Sequence, residues 1–191
     1  MTGARRGTGG LPGDPSAREL TERMIRVDHA GEYGATRIYA GQLAVLGRRG
    51  QGDLIRHMQA QEQQHLRTFD AMIADRRVRP TAMLPFWHLA GFALGAVTAA
   101  LGEKAAMACT VAVEEVIDGH YTAQLETLGE IEAHGGAEPE LRQTVEAFRA
   151  EELEHRDTAL EQGAEQAPGY RLLSRVIKAG CRAAIAISER I

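Results

Sequence analysis

A chain of 191 residues, 44% hydrophobic and 25% charged, can bury one substantial core and is too short for two; its composition excludes general disorder. The net charge of −4, with both signs interspersed, excludes the concentrated basic face that a nucleic-acid platform needs, so no nucleic-acid partner is expected. Aromatic residues make up only 5% while Ala, Leu, Glu, Gln and Arg abound, which favours helix over sheet.

Residues 1–16 contain Gly, Pro and Arg but no apolar stretch. They read as a disordered leader without a secretory signal, leaving 17–191 as the folded domain. A first helix is expected from Ala17 to about Leu46, broken by Gly47, Gly50 and Gly52. Its inward stripe is Ile25, Asp28, His29, Glu32, Thr36, Tyr39 and Leu43. Asp53 is placed to cap a second helix, whose stripe runs through Leu54, Met58, Gln61, Glu62, His65, Phe69 and Met72. Residues 76–85 read as a loop, with Pro80 and Pro85 as stops.

The segment FWHLAGFALGAVTAAL, Phe86 to Leu101, has one His and no charge. It falls short of the roughly 20 apolar residues that cross a bilayer, so a buried connector or a helix lying on a membrane surface is expected. Glu103 to about Glu132 continues as a long helix with Met107, Val111, Glu114, Asp118, Tyr121, Leu125 and Leu128 on one face. His134 to Pro139 is a turn. The helix from Glu140 to about Gln162 aligns Leu141, Val145, Phe148, Glu152, His155 and Ala159. After Pro168 and Gly169, a last helix from Tyr170 to Ile191 combines Arg171, Arg175, Lys178 and Arg182 with Leu172, Val176, Ile177 and Ile185. That composition fits an interfacial membrane helix and equally a terminal helix docked on a bundle. Cys109 and Cys181 stand far apart in apolar surroundings and make neither a zinc motif nor a disulfide framework.

Four of these helices put a glutamate where a core hydrophobe belongs: Glu32, Glu62, Glu114 and Glu152. Two add a histidine three residues on, Glu62 to His65 and Glu152 to His155, and residues three apart share a helix face. One Glu from each of two helices and a Glu-x-x-His from each of two more is the ligand pattern of a ferritin-like di-iron bundle. The expected fold is therefore all-α, a ferritin-like four-helix bundle of two hairpins with two additional apolar or amphipathic helices. Buried unpaired carboxylates cost on the order of several kcal/mol each, and two divalent cations would compensate four of them. Carboxylate and imidazole donors suit iron or manganese better than zinc. Glu62 and Glu152 are the bridging candidates, Glu32 and Glu114 the terminal ones. Asp28 and Asp118 are candidate acceptors for the outer N–H of the imidazoles, and His120 and Tyr121 candidates to line the approach. His29, His57, His88 and His134 have no partner spacing and read as surface or satisfied core residues.

DHAGEYGA (28–35), QEQQH (61–65), TVAVEE (110–115), His120-Tyr121 and FRAEELEHRD (148–157) together resemble the demethoxyubiquinone hydroxylase family, over essentially everything from Ala17 onward. The resemblance implies a di-iron monooxygenase that inserts one oxygen atom from O₂ into the ring of demethoxyubiquinol during ubiquinone synthesis. The family's ligands fall on Glu32, Glu62, His65, Glu114, Glu152 and His155. It further implies a membrane-resident prenylated quinol, electrons from NADH, a lipid-binding accessory protein of the pathway, and peripheral attachment to a membrane. The expected location is the cytoplasmic face of a bacterial inner membrane, or the mitochondrial matrix face in a eukaryote. A homo-oligomer stays open. Three competing readings are an iron-storage protein, a soluble peroxidase or catalase-like di-metal enzyme, and a non-enzymatic membrane adaptor.

Overall fold

The computed structural model describes residues 13–48 and 50–191; the expectation for the rest of the leader lies outside them. Six α-helices and one 3₁₀ turn, and no strands, occur among the described residues: α1 (Ala17–Leu46), α2 (Gly52–Arg76), α3 (Leu84–Ala100), α4 (Glu103–Ala133), α5 (Pro139–Glu161), the turn Ala164–Gln166, and α6 (Tyr170–Ser188). The all-α expectation holds.

Three helix starts differ from expectation, each for a local reason. Ser16, assigned to the leader, is part of the fold: its hydroxyl accepts from the Glu19 N–H at 3.2 Å, and Glu19 accepts from the Ser16 N–H at 2.8 Å. Asp53 does not cap α2. Gln51 occupies that position, and Asp53 sits inside the first turn paired with Arg56 at 2.5 Å. Pro85 starts α3 instead of ending a loop, because a proline in the first turn forfeits no intrahelical hydrogen bond. At the far end of α2, Arg77 takes a left-handed conformation (φ 53°) and the Val78 N–H returns to Ile73 O. Buried Val78 then packs with Met72 and Ile73, a hydrophobic closure that holds Arg77 in its strained geometry.

α1 with α2 and α4 with α5 form two antiparallel hairpins. Two apolar clusters occupy opposite ends of the bundle they make. One contains Tyr39, Leu46, Ile55, Met58, Val111 and Ala159; the other contains Ile25, Phe69, Tyr121, Leu128, Leu141 and Phe148. Each bundle helix threads from one cluster to the other. The stretch between holds Glu32 on α1, Glu62 and His65 on α2, Glu114 on α4, and Glu152 and His155 on α5. The candidate residues thus fill a middle layer, sealed above and below by hydrocarbon.

α3 lies along α1, and α6 lies along α4. The α1–α3 crossing is close because glycines form it. A Cβ on Gly95 would sit 1.9 Å from the Ile38 carbonyl oxygen, and one on Gly41 would sit 2.1 Å from that of Phe92. The opposite side of α3 shows Phe86, Leu89, Val97 and Leu101 to solvent, and α6 likewise shows Leu172 and Val176 while burying Ile177. The last helix ends at Ser188, short of the Ile191 expected. No helix among the described residues is long and apolar enough to cross a membrane. Cys109 and Cys181 are free and share one apolar cluster; burial pushes their thiols up to about 12 and about 11, so both remain protonated.

Gly95→Ala forces α3 away from α1, an overpacking cost of about 1–3 kcal/mol. Thermal unfolding of this variant is expected to show a lowered Tm; an unchanged Tm would mean the crossing is looser than described.

Candidate metal centre

Glu32, Glu62, Glu114, Glu152, His65 and His155 are all buried, with 1–4% exposure each, and the fold brings all six together. They divide into two groups whose ligand atoms lie within 4.8 Å of one another: Glu32, Glu62, His65 and Glu152, and Glu62, Glu114, Glu152 and His155. Glu62 and Glu152 belong to both groups, as bridging carboxylates would. Such a buried Glu/His cluster can hold metal.

The imidazoles are oriented alike. His65 Nδ1 faces the cluster, 3.1 Å from Glu152 Oε1 and 3.4 Å from Glu32 Oε2. His155 Nδ1 also faces inward, 3.1 Å from Glu152 Oε2 and 3.2 Å from Glu62 Oε1. Phe148 stacks on His65 with ring centroids 3.9 Å apart, which fixes that ring's plane. Glu62 nevertheless accepts no hydrogen bond at either oxygen, and Glu32 Oε2 accepts none: the contacts are close but misaligned. Unsatisfied carboxylate oxygens aimed at a common centre, with no thiolate among them, fit cations better than they fit hydrogen-bond donors.

Burial, reinforced by repulsion among the carboxylates, pushes Glu32, Glu62 and Glu114 above the usual range. Glu152 goes the other way. Burial opposes its ionisation, but hydrogen bonds with His155 and His65 outweigh it and hold the group at about 2. Burial likewise opposes protonation of His65, yet Glu152 and Glu32 raise it to about 11. Without metal, imidazolium protons supply part of the positive charge that cations supply when bound.

Two tyrosines complete the layer. Tyr121 donates to Glu32 Oε1 at 2.5 Å and Tyr39 to Glu114 Oε1 at 3.4 Å, each reaching the terminal glutamate of the other hairpin. Each lies seven residues after its own helix's ligand glutamate and three before a buried glutamine, Gln42 or Gln124. This repeated Glu-x₆-Tyr-x₂-Gln spacing is the sequence signal that would have located both phenols. Burial raises both phenols well above their ordinary value, so they act as donors.

The expected acceptors for the outer imidazole N–H groups need correction. Asp118 pairs with Arg149 at 2.7 Å, outside the cluster, and Asp28 pairs with Gln124 at 2.7 Å and His120 at 3.2 Å. The positions 3.0 Å from His65 Nε2 and His155 Nε2 belong instead to Glu151 Oε2 and Gln61 Oε1. Both immediately precede a cluster glutamate; Gln61 was on the inward stripe without an assigned partner, and Glu151 lay beside one. His120 contacts Asp28 rather than a ligand, whereas its neighbour Tyr121 touches the site directly. Among the other histidines, His29 is buried against Asp70, His88 Nδ1 lies 2.7 Å from the Tyr33 hydroxyl, His134 bonds its own helix's Glu130 carbonyl, and His57 is exposed.

Two helix hairpins enclosing a buried four-carboxylate, two-histidine layer define the class: an all-α bundle protein of the ferritin-like carboxylate type. The chain belongs to the family described as "Ubiquinone biosynthesis protein COQ7", whose sequence model matches residues 19–188. It is 59% identical to the 3-demethoxyubiquinol 3-hydroxylase of Rhodospirillum rubrum, over 95% of this chain and 83% of that protein. It is 52% identical to the mitochondrial NADPH-dependent 3-demethoxyubiquinone 3-hydroxylase of Homo sapiens, over 100% of this chain and 87% of that protein. It is also 43% identical to the mitochondrial 5-demethoxyubiquinone hydroxylase of Saccharomyces cerevisiae, over 89% and 78% respectively. The human relative's name specifies NADPH, where the family resemblance had pointed to NADH.

Replacing Glu62 by leucine removes a buried, unsatisfied carboxylate and a shared ligand at once. Glu62→Leu is expected to raise the Tm of chelator-treated protein while reducing bound metal, by elemental analysis, to well below two ions per chain. A variant that kept two ions would show that Glu62 does not bridge.

Proposed function

We propose that this chain hydroxylates the ring of demethoxyubiquinol, converting 5-demethoxyubiquinol to 5-demethylubiquinol in ubiquinone biosynthesis. Residues 17–191 act as one di-iron monooxygenase domain. Glu32, Glu62, His65, Glu114, Glu152 and His155 would hold the two irons, Glu62 and Glu152 being available to both. Bound iron would supply O₂ activation for a monooxygenation in which one oxygen atom enters the ring and the other leaves as water, with two electrons from a reduced nicotinamide and two protons.

The observation that carries this reading is an apolar groove of about 510 Å³ running between α1, α3, α4 and α6. Its wall includes Gly31 and Val113, the immediate neighbours of Glu32 and Glu114, so it passes along the metal layer. Ala30, Gly31, Gly34 and Ala35 keep the α1 side free of bulk. The α3 and α6 sides continue to the exposed apolar surface that carries Phe86 and Val176. A flat quinol ring fits beside the cluster while its prenyl tail follows the groove outward, leaving water little room near the reacting carbon. The chain's own contribution to catalysis is this positioning, together with the Tyr39 and Tyr121 hydrogen bonds that hold the terminal carboxylates.

The same surface supports peripheral attachment to a membrane, on the cytoplasmic face in a bacterium or the matrix face in a mitochondrion. Exposed Leu172 and Val176 accompany Arg171 and Arg175 on α6, the composition of an interfacial helix. Association with a lipid-binding accessory protein, and any homo-oligomer, would draw on the same two helices. An iron-storage role gains nothing from a lipid-sized groove, and neither does a peroxidase acting on small soluble substrates.

Loss of this protein is expected to make cells accumulate demethoxyubiquinone and lose ubiquinone, by chromatography of extracted quinones. The intact gene should restore ubiquinone and Glu152→Ala should not. Normal ubiquinone in the deletion strain, with no second copy of the gene present, would remove the synthetic role.

A further inference from the structure

The outer faces of the two ligand histidines are held by unlike partners. His65 Nε2 lies 3.0 Å from the carboxylate of Glu151, and His155 Nε2 lies 3.0 Å from the amide oxygen of Gln61. Gln61 Nε2 in turn donates to Glu151 Oε2 at 3.3 Å. That donation turns the Gln61 oxygen towards His155, where it receives the His155 Nε2–H. The His65 Nε2–H is directed likewise at the Glu151 carboxylate. Nδ1 of each ring faces the cluster, where a bound cation takes the place of the proton carried in the metal-free protein.

The arrangement is crosswise. Glu151 on α5 holds the histidine of α2, and Gln61 on α2 holds the histidine of α5, so the seam between the hairpins is closed by one continuous hydrogen-bonded chain. Its members differ in charge. An anionic acceptor draws the Nε2 proton more strongly than a neutral amide does, and makes the imidazole a stronger donor through Nδ1. The partners also differ in environment from the cluster itself: the Glu151 side chain is 41% exposed, so it is not one of the buried carboxylates that cations must compensate.

We infer that Glu151 and Gln61 are positioning residues that make the two halves of the centre unequal, the His65 half binding its ion more tightly than the His155 half. This rests on the metal reading of the six buried residues. It adds that the inequality is set by one charge outside the ligand set. Loading is therefore sequential, with the ion held by Glu32, His65, Glu62 and Glu152 entering first.

Stepwise Co²⁺ titration of metal-free protein, followed by its visible absorption and calibrated against a competing chelator, tests this. The wild type is expected to show two separated steps. Glu151→Gln should weaken the first step about 10–100-fold, the usual effect of losing a ligand's outer partner, and bring the two steps together. The exchange variant Gln61→Glu/Glu151→Gln restores one charged and one neutral partner, and separated steps should return. Loss of packing alone would not be rescued by the exchange. Unchanged steps in Glu151→Gln would overturn the inference while leaving the metal centre intact. A wild type that takes up no Co²⁺ would remove the centre itself.

Discussion

Four carboxylates buried in one layer between two apolar clusters are the constraint around which this molecule is organised. Each helix of the bundle needs hydrocarbon at both ends of the layer to pack, and each supplies a glutamate within it, where hydrocarbon is interrupted. Desolvated negative charges this close together oppose folding unless something positive lies among them. Imidazolium protons offset part of the charge in the metal-free protein, but Glu62 is left with no hydrogen bond at either oxygen. The layer leaves polar groups unsatisfied as a polypeptide, and its donors are of the kind that hold cations.

That constraint explains the outer architecture. The four bundle helices enclose the carboxylate layer, and the apolar groove forms where two further helices lie against them. α3 can approach α1 closely because Gly41 and Gly95 leave the backbones uncovered at the crossing. α6 covers α4. Between them the groove runs past Gly31 and Val113, the chain neighbours of Glu32 and Glu114, and opens towards exposed apolar side chains. A polar layer with a lipid-compatible groove running alongside it is the arrangement that the proposed oxidation of a prenylated ring needs.

Helix order, the hairpin pairing and the burial of all six candidate residues in one layer were legible in the sequence. Glutamate on a core stripe is unusual enough to stand out, and Glu-x-x-His fixes which residues share a face. Less legible were groups whose partners lie on other helices. Gln61 was already on the inward stripe and Glu151 looks like a surface residue beside one, but only the packing of α2 against α5 reveals that each serves the other's histidine. Asp118 is the converse: its spacing placed it on the stripe, and Arg149 takes it elsewhere. Tyr39 and Tyr121 occupied core positions in the pattern, but their hydrogen bonds to opposite glutamates depend on how the hairpins face each other. Helix ends such as Gln51 and Pro85 were decided by local turn geometry that periodicity does not report.

Anomalous scattering at the iron edge, from crystals of iron-loaded protein, addresses the central claim most directly. Two peaks are predicted inside the layer, roughly 3.5–4 Å apart as in two-metal sites generally, with Glu62 and Glu152 between them. A single peak, or iron only at surface residues with the buried carboxylates hydrogen-bonded to one another, would contradict it.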